Sequence, residues 1–191
     1  MPRPARHQKV TQGQYFEAAL ARLAAHGADG LTIGGLCAEI GVTSGSFYHY
    51  FGSWAGFVAA LLAHWEAEQT QRIVDQASAV ADPEVRLDLL REQAGALPHD
   101  AEAAIRAWSH ADEAVGQAQF RVDRLRHNQL REAVLGMGVP ADRADRLATM
   151  GLALLVGLQQ LARPVDGVAL RAVCDEFGAM VADQTRRVGQ A

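Results

Sequence analysis

Residues Leu31 to Phe51 read LTIGGLCAEIGVTSGSFYHYF and decide the fold of the N-terminal part of the chain. Thr32 is suited to cap a short helix, and Gly41 supplies the break that ends it. Thr43 or Ser44 then caps a second, very short helix that runs through Tyr48. Helix, tight turn and helix in this order form the helix-turn-helix pattern.

The second of these helices presents small polar and amphipathic side chains on its outer face, since Val42 and Phe47 fix it against the first helix. The outward residues are Thr43, Ser44, Gly45, Ser46, Tyr48 and His49. Small hydroxyl residues let a helix approach base edges in the major groove, and the positive helix N-terminus attracts phosphate. The pattern therefore indicates a helix that reads DNA; the alternative is that these small polar residues only cap the helix.

The rest of the chain is also predicted to be helical. Ala, Leu, Arg, Glu and Gln are frequent, and alternating runs of β-branched residues do not occur. We predict an all-α protein of about nine helices. Thr11 caps the first helix, Ser53 opens a long fourth helix, and Asp82-Pro83 starts the fifth.

The last two predicted helices are unusually apolar. Residues 151–158 are apolar almost all round the eighth helix, which predicts burial on more than one side. The ninth helix carries Leu170, Cys174 and Phe177 at helical spacing. Two such helices from each of two protomers would form a four-helix bundle, so we expect a homodimer through the two C-terminal helices. The alternative is that both helices close the core of a monomer.

The charge distribution is compatible with DNA binding although the total is acidic. The 191 residues carry a net charge of −4, yet the first 51 hold four basic and three acidic side chains. Arg3, Arg6 and Lys9 precede Thr11 without any acid. Only the surface that meets phosphate must be positive, so these three residues are interpreted as a basic N-terminal arm.

Neither a secretion signal nor a membrane span is expected. The longest apolar run, Met150 to Leu158, is far shorter than the roughly 20 residues of a membrane helix. We therefore predict a cytoplasmic protein without membrane contact. Cys37 and Cys174 lie in apolar helical patterns and are expected to be buried reduced thiols, with a redox switch as the alternative.

No catalytic, cofactor or metal site is predicted. The seven histidines include no pair at i, i+4, and neither cysteine has a nearby His or Cys. No recognisable catalytic pattern is formed by the neighbouring residues His110, Asp112 and Glu113. The spacing of Asp123 and His127 places both on one helical face, where a local ion pair explains it. We predict that the chain is not an enzyme. The two alternatives to a DNA-binding protein are an enzyme and a helical protein-interaction module without specific DNA binding.

The stretch TIGGLCAEIGVTSGSFYHYF closely resembles the signature of the TetR family of bacterial repressors. That signature reads Thr, an apolar-spaced helix, then Gly-Val-Ser/Thr-x-Gly-x-x-Tyr-x-His/Tyr-Phe. The resemblance covers about 20 residues, and the helix number and chain length also fit. A weaker resemblance to the ligand domain of some TetR-type regulators lies in residues 105–130.

The resemblance implies roles for individual residues of the helix-turn-helix. Phosphate contacts are implied for Thr32, Thr43, His49 and Tyr50. Base-edge contacts are implied for Ser44, Gly45 and Tyr48, while Phe47 and Phe51 would belong to the core.

Two features depart from the family pattern. Trp54 occupies the position where many members have a phosphate-binding Lys. We expect the basic arm to compensate for the loss of that phosphate contact. Gly34 and Gly35 lie within the predicted second helix, where each costs roughly 1 kcal/mol relative to Ala. Close packing against a neighbouring helix is the explanation we expect for this pair.

The resemblance also implies a two-domain regulator. Residues 1–52 would form the DNA-binding domain and residues 53–191 the ligand-binding and dimerisation domain. A small-molecule effector would bind among the fourth to seventh helices and release the protein from a palindromic double-stranded DNA operator. The candidate ligand-binding residues are Trp65, Gln69, Trp108, His110, Phe120 and His127. Core packing is an equal alternative for the two tryptophans, and a histidine in such a position is more often a surface or core residue than a ligand contact.

Overall fold

The computed structural model describes the backbone of residues 10–188 and the side chains of residues 10–184. This part of the chain is all-α, as predicted, and contains nine helices. They are α1 (Gln12–His26), α2 (Ile33–Ile40), α3 (Ser44–Phe51), α4 (Trp54–Glu66, a π turn over Ala67–Gln71, then Arg72–Ser78), α5 (Pro83–Gly95), α6 (His99–Trp108), α7 (Glu113–Gly136), α8 (Ala141–Leu161) and α9 (Gly167–Val188). None of these helices is long and apolar enough to cross a membrane.

The helix starts follow from capping residues that the sequence displays. The Thr11 hydroxyl accepts from the backbone N–H of Gln14, whose side chain accepts in return from the N–H of Thr11, which makes a capping box. Thr32 and Ser53 cap α2 and α4 through their hydroxyl groups. Asp82 caps α5 by accepting from two backbone N–H groups. These four predicted caps are confirmed, whereas Thr43 precedes α3 without a side-chain capping bond.

The helix α3 is longer than the sequence indicates. It continues past Tyr48 to Phe51 and ends at Gly52, which has a φ of 69°. Phe47 and Phe51 lie one turn apart on the same face, and both are buried. Burial of this second aromatic ring extends the helix by most of a turn, because the ring packs inward only if the backbone stays helical.

The helix α4 continues through a π turn that the sequence does not predict. Hydrogen bonding changes register over Ala67–Gln71 before the α-helix resumes at Arg72. Single π turns inside α-helices occur frequently at functional sites. This turn lies between the part of α4 that contacts the helix-turn-helix and the part that lies among the C-terminal helices.

One hydrophobic core extends from the helix-turn-helix into the C-terminal helices. It contains Tyr15 of α1 and Phe47 of α3 together with Trp65 of α4 and Ile105 of α6. The predicted domain boundary at residue 52 therefore crosses a continuous core. A second core lies farther away and joins α5, α7, α8 and α9 around residues such as Phe177.

The two glycines within α2 have different environments. A Cβ atom on Gly35 would lie 2.6 Å from Arg22 Nη2, whereas a Cβ on Gly34 would meet no atom within 4 Å. The Arg22 guanidinium crosses Gly35 to donate to the Gly30 carbonyl at 3.0 and 2.7 Å and to Glu39 at 3.4 Å. The expected close packing therefore applies to Gly35 only.

Alanine at Gly41 and at Gly34 should change stability in opposite directions. Gly41 has φ 71° and ψ 38°, a left-handed conformation that costs a residue with a Cβ about 1–2 kcal/mol. We expect Gly41→Ala to lower the free energy of unfolding by about that amount. Gly34→Ala is the matched control and should raise it by about 0.5–1 kcal/mol, since the space is open and the backbone helical. Urea denaturation measures both; destabilisation by Gly34→Ala would contradict the open environment.

Candidate DNA-binding surface and effector cavity

Aromatic packing fixes the position of α3. The Phe47 ring lies fully buried, 5.2 Å from the ring centroids of both Phe51 and Phe57. Trp54, at the start of α4, stacks on Phe47 at 6.5 Å and is half-buried. Its ring therefore packs on the buried side of α3. The family pattern often has a phosphate-binding Lys at this position.

The outer face of α3 exposes most of the predicted DNA-binding residues. Thr43, Ser44, Gly45 and His49 are exposed, and Tyr48 has 51% of its surface accessible. Thr43 precedes the helix without making a side-chain capping bond, so its hydroxyl is not used in capping. These residues form one continuous surface around the helix N-terminus, and their DNA contacts stay predictions.

Ser46, Tyr50 and Thr32 already make contacts within the protein. Tyr15 donates its hydroxyl to Ser46 Oγ at 3.0 Å, and the Tyr50 hydroxyl donates to the Val10 carbonyl. Ser46 and Tyr50 are half-buried, whereas Thr32 is exposed and caps α2. Among the eight predicted residues, Ser46 and Tyr50 are thus placed to hold α3 on α1 rather than to face outward.

The described part of the helix-turn-helix holds little positive charge. Arg22 is its one Lys or Arg between residues 10 and 51, and its guanidinium is bound to the Gly30 carbonyl and Glu39. Attraction of phosphate by this surface would then come from helix N-termini and backbone N–H groups. The predicted basic arm of Arg3, Arg6 and Lys9 lies outside the described residues.

A second candidate site is a cavity among the C-terminal helices. It has a volume of about 110 Å³ and lies between the second half of α4 and helices α5, α7, α8 and α9. Its wall is mostly aliphatic, and its polar groups include Gln69, Thr70 and Arg126.

The six predicted ligand-binding residues do not come together at this cavity. Gln69 lines it. Trp65 is fully buried in the first core, and Trp108 is half-buried against that core. Phe120 is 67% exposed, and His110 is exposed in the turn after α6.

His127 lies against α8, where its ring is 3.2 Å from Thr149 Oγ1 and 3.9 Å from Asp145. The predicted ion pair of Asp123 with His127 also differs from the structure, because Asp123 instead accepts from both η nitrogens of Arg106. Gln69 alone of the six remains a candidate for the cavity.

A buried ion pair lies between the first core and the cavity. Glu102 of α6 is 2% exposed and accepts from Arg126 Nη1 at 2.7 Å and Arg126 Nη2 at 3.0 Å. The Trp65 indole N–H donates to the same carboxylate at 2.8 Å. Arg126 Nη2 also lies 3.3 Å from the carbonyl of Gln69 in the π turn. The group joins α4, α6 and α7.

The sequence contained a partial signal for this ion pair. Glu102 interrupts an otherwise apolar run, AEAAI at residues 101–105, which indicates a buried charge that needs a partner. Its partner Arg126 has several other arginines near it in sequence, so the pairing could not be predicted. Thr70 gave no signal, because its burial depends on the π turn.

Both cysteines are free thiols. Burial raises the pKa of Cys37, and it also raises the pKa of Cys174, to which the nearby Asp175 adds. A raised pKa lowers the thiolate fraction at neutral pH and slows oxidation and alkylation. Cys37 is buried as expected, whereas Cys174 is half-buried and lines the cavity.

One face of the last two helices is apolar and exposed. Leu161 of α8 is 80% exposed and Met150 is 40% exposed, with Ala153 and Gly157 also exposed between them. Val168 of α9 is 72% exposed. Within a single chain, therefore, α8 is buried on one side only.

The fold combines an N-terminal helix-turn-helix with a C-terminal helical part. Residues 16–61 match the family model described as bacterial regulatory proteins of the TetR family. No curated relative matches the chain in sequence. Residues 16–61 are therefore similar to the TetR family of bacterial regulatory proteins, and the fold of the chain agrees with that of a TetR transcription regulator over 88% of its length.

Solved structures share this fold at low sequence identity. A TetR transcription regulator from Haloarcula marismortui is 22% identical with a TM-score of 0.71, covering 88% of this chain and 96% of that one. A transcriptional regulator from Rhodococcus has 18% identity and a TM-score of 0.74 over 92% and 97% of the two chains. A putative transcriptional regulator from Saccharomonospora viridis, solved with choline, has 18% identity and a TM-score of 0.69 over 87% and 94%.

Proposed function

We propose that the protein is a ligand-responsive transcriptional repressor that a small-molecule inducer releases from a palindromic operator. The observation that carries the proposal is the exposed surface of α3, where Thr43, Ser44, Gly45, Tyr48 and His49 surround a helix N-terminus. Hydroxyl groups and an aromatic ring on a short helix suit base edges in the major groove. The fold is that of DNA-binding transcription regulators, and cytoplasmic action follows from that role.

A homodimer is part of the proposal. Helices α8 and α9 expose an apolar face that includes Leu161 and Val168, and a second copy would cover it in a four-helix bundle. In a two-fold dimer, the two α3 helices could enter successive major grooves on one side of DNA, which are roughly 34 Å apart. The operator would then be a palindrome.

The cavity is proposed as the effector site. It adjoins the π turn of α4, and the first part of α4 shares a core with α3. A ligand that binds better to one arrangement of α4 would shift the separation of the two α3 helices. The regulator from Saccharomonospora viridis was solved with choline, which supports a small-molecule effector for this fold.

Selection of bound sequences from a random DNA pool tests the proposed function. Purified protein at a stated salt concentration should enrich a palindrome with half-sites one or more helical turns apart. Binding without any enriched motif, lost at physiological salt, would contradict specific recognition. The helical protein-interaction alternative would then be favoured.

A charge on the exposed face of α8 should prevent dimerisation. Ala153 lies between Met150 and Gly157 on that face. In Ala153→Glu, a two-fold interface would bring two carboxylates into an apolar contact, so we expect a monomer by light scattering. Ala114→Glu is the matched control, since Ala114 is exposed in the first turn of α7, where an acid is favourable. A dimer retained by Ala153→Glu would assign the interface to another face.

A further inference from the structure

The cavity among the C-terminal helices fits a small, largely apolar molecule. Its wall is mainly aliphatic, with Ile73 of α4, Leu90 of α5 and Leu155 of α8 on different sides. Phe177 is the one aromatic side chain among the described lining residues. An apolar cavity of ~150 Å³ holds benzene, so a cavity of about 110 Å³ accommodates at most one small ring, and a six-membered ring fits because the cavity is partly open to solvent.

The cations that line the cavity are already paired with carboxylates. Glu102 accepts from both η nitrogens of Arg126. Arg91 donates to Asp175 and lies 3.3 Å from Asp88. An anionic ligand would have to displace a carboxylate from an arginine. A cationic ligand would find neither a free carboxylate nor an aromatic cage among the described lining residues. The charge arrangement therefore disfavours ionic ligands of either sign.

One buried hydroxyl in the wall is unpaired. Thr70 is 1% exposed, and its Oγ1 has no hydrogen-bond partner among the described residues. A threonine within an α-helix often bonds to the carbonyl four residues earlier, but Thr70 lies in the π turn, where the backbone register changes. An unpaired buried hydroxyl is unfavourable, and a ligand group that hydrogen-bonds to it would remove that cost.

We infer that the cavity binds an uncharged, mainly apolar molecule whose single polar group, a hydroxyl or carbonyl, hydrogen-bonds to the Thr70 hydroxyl. The inference rests on the proposed function in so far as it identifies the class of effector for that site. Thr70 lies in the π turn of α4, so the polar group of the ligand is bound at the point where the two parts of this helix join.

Four ring compounds of similar size separate the possible ligand classes. Cyclohexanol is uncharged with a hydroxyl, methylcyclohexane lacks a polar group, and cyclohexanecarboxylate and cyclohexylammonium are an anion and a cation at pH 7. Binding is measured calorimetrically on the full chain without DNA. We expect cyclohexanol to bind most tightly, methylcyclohexane more weakly, and the two ions not measurably.

Thr70→Val tests the hydroxyl in two independent ways. The change keeps the side-chain shape and removes one hydrogen bond, so we expect cyclohexanol to bind about threefold to tenfold more weakly while methylcyclohexane binding is unchanged. The variant without ligand should also unfold at a higher urea concentration, because an unpaired hydroxyl has been removed from the interior. Thr149→Val is the matched control, since Thr149 is exposed on α8 and is not among the lining residues of the cavity.

Each result supports or overturns the inference. Four results would overturn it. Either ion binds more tightly than cyclohexanol, or no uncharged probe binds. Alternatively, Thr70→Val binds cyclohexanol as tightly as the parent protein does, or it unfolds at a lower urea concentration than the parent. The same preparation is used for the DNA selection. If the protein selects a palindrome but binds none of the uncharged probes, only the inferred ligand class is contradicted. If cyclohexanol binding depends on Thr70 but no DNA motif is selected, the proposed repressor function is contradicted.

Discussion

Replacement of Tyr48 by alanine is expected to reduce specific operator affinity by about two orders of magnitude. A good base contact contributes about 1–3 kcal/mol, and a dimer loses it in both half-sites. The ring is 51% exposed, so stability should change little. Affinity for the selected operator is measured at fixed salt, beside affinity for an unrelated sequence, which should change far less.

The matched control for Tyr48 lies two residues along the same helix. Tyr50→Phe removes a hydroxyl that donates to the Val10 carbonyl and leaves the outer face of α3 unchanged. We expect full operator affinity and a loss of stability of about 1 kcal/mol. If Tyr50→Phe weakened DNA binding more than Tyr48→Ala, the assignment of the outer face would be wrong and the phosphate contact implied for Tyr50 would be supported.

Glu102→Gln is expected to destabilise the protein by about 3–5 kcal/mol. The substitution keeps the size of the side chain but leaves the Arg126 charge without a partner in a site where Glu102 is 2% exposed. It also places an amide NH2 among the N–H donors of Arg126 and Trp65. Urea denaturation measures the loss, and Glu132→Gln is the matched control, because Glu132 is 57% exposed beside Arg131.

A double replacement separates the charge effect from packing. Glu102→Leu with Arg126→Met removes both charges together, so it should be less destabilising than Glu102→Leu alone. If the double variant were the less stable of the two, coupling between these side chains would not explain the effect of Glu102→Gln. The stability of Glu102 variants would then depend mainly on the lost contact with Trp65.

The cavity and most of the predicted ligand-binding residues lie at different places in the structure. Trp65 lies in the first core and Trp108 packs against it, which is the alternative that the sequence left open for both rings. Phe120 is the opposite case, since it is exposed on α7. Aromatic composition does not distinguish a core ring from a ring that lines a cavity, because both need an apolar surrounding. Only the arrangement of the helices decides which surface each ring meets.

The helix-turn-helix was predictable for a local reason. Thr32 and Gly41 act through hydrogen bonds and backbone angles within a few residues of themselves, so the sequence by itself determined this turn and the outward position of Tyr48. Helix periodicity likewise determined the all-α class. The π turn, the buried hydroxyl of Thr70 and the pairing of Glu102 with Arg126 were decided by the tertiary structure alone. These features depend on side chains 24 or more residues apart and on how four helices pack, and no local pattern encodes that geometry.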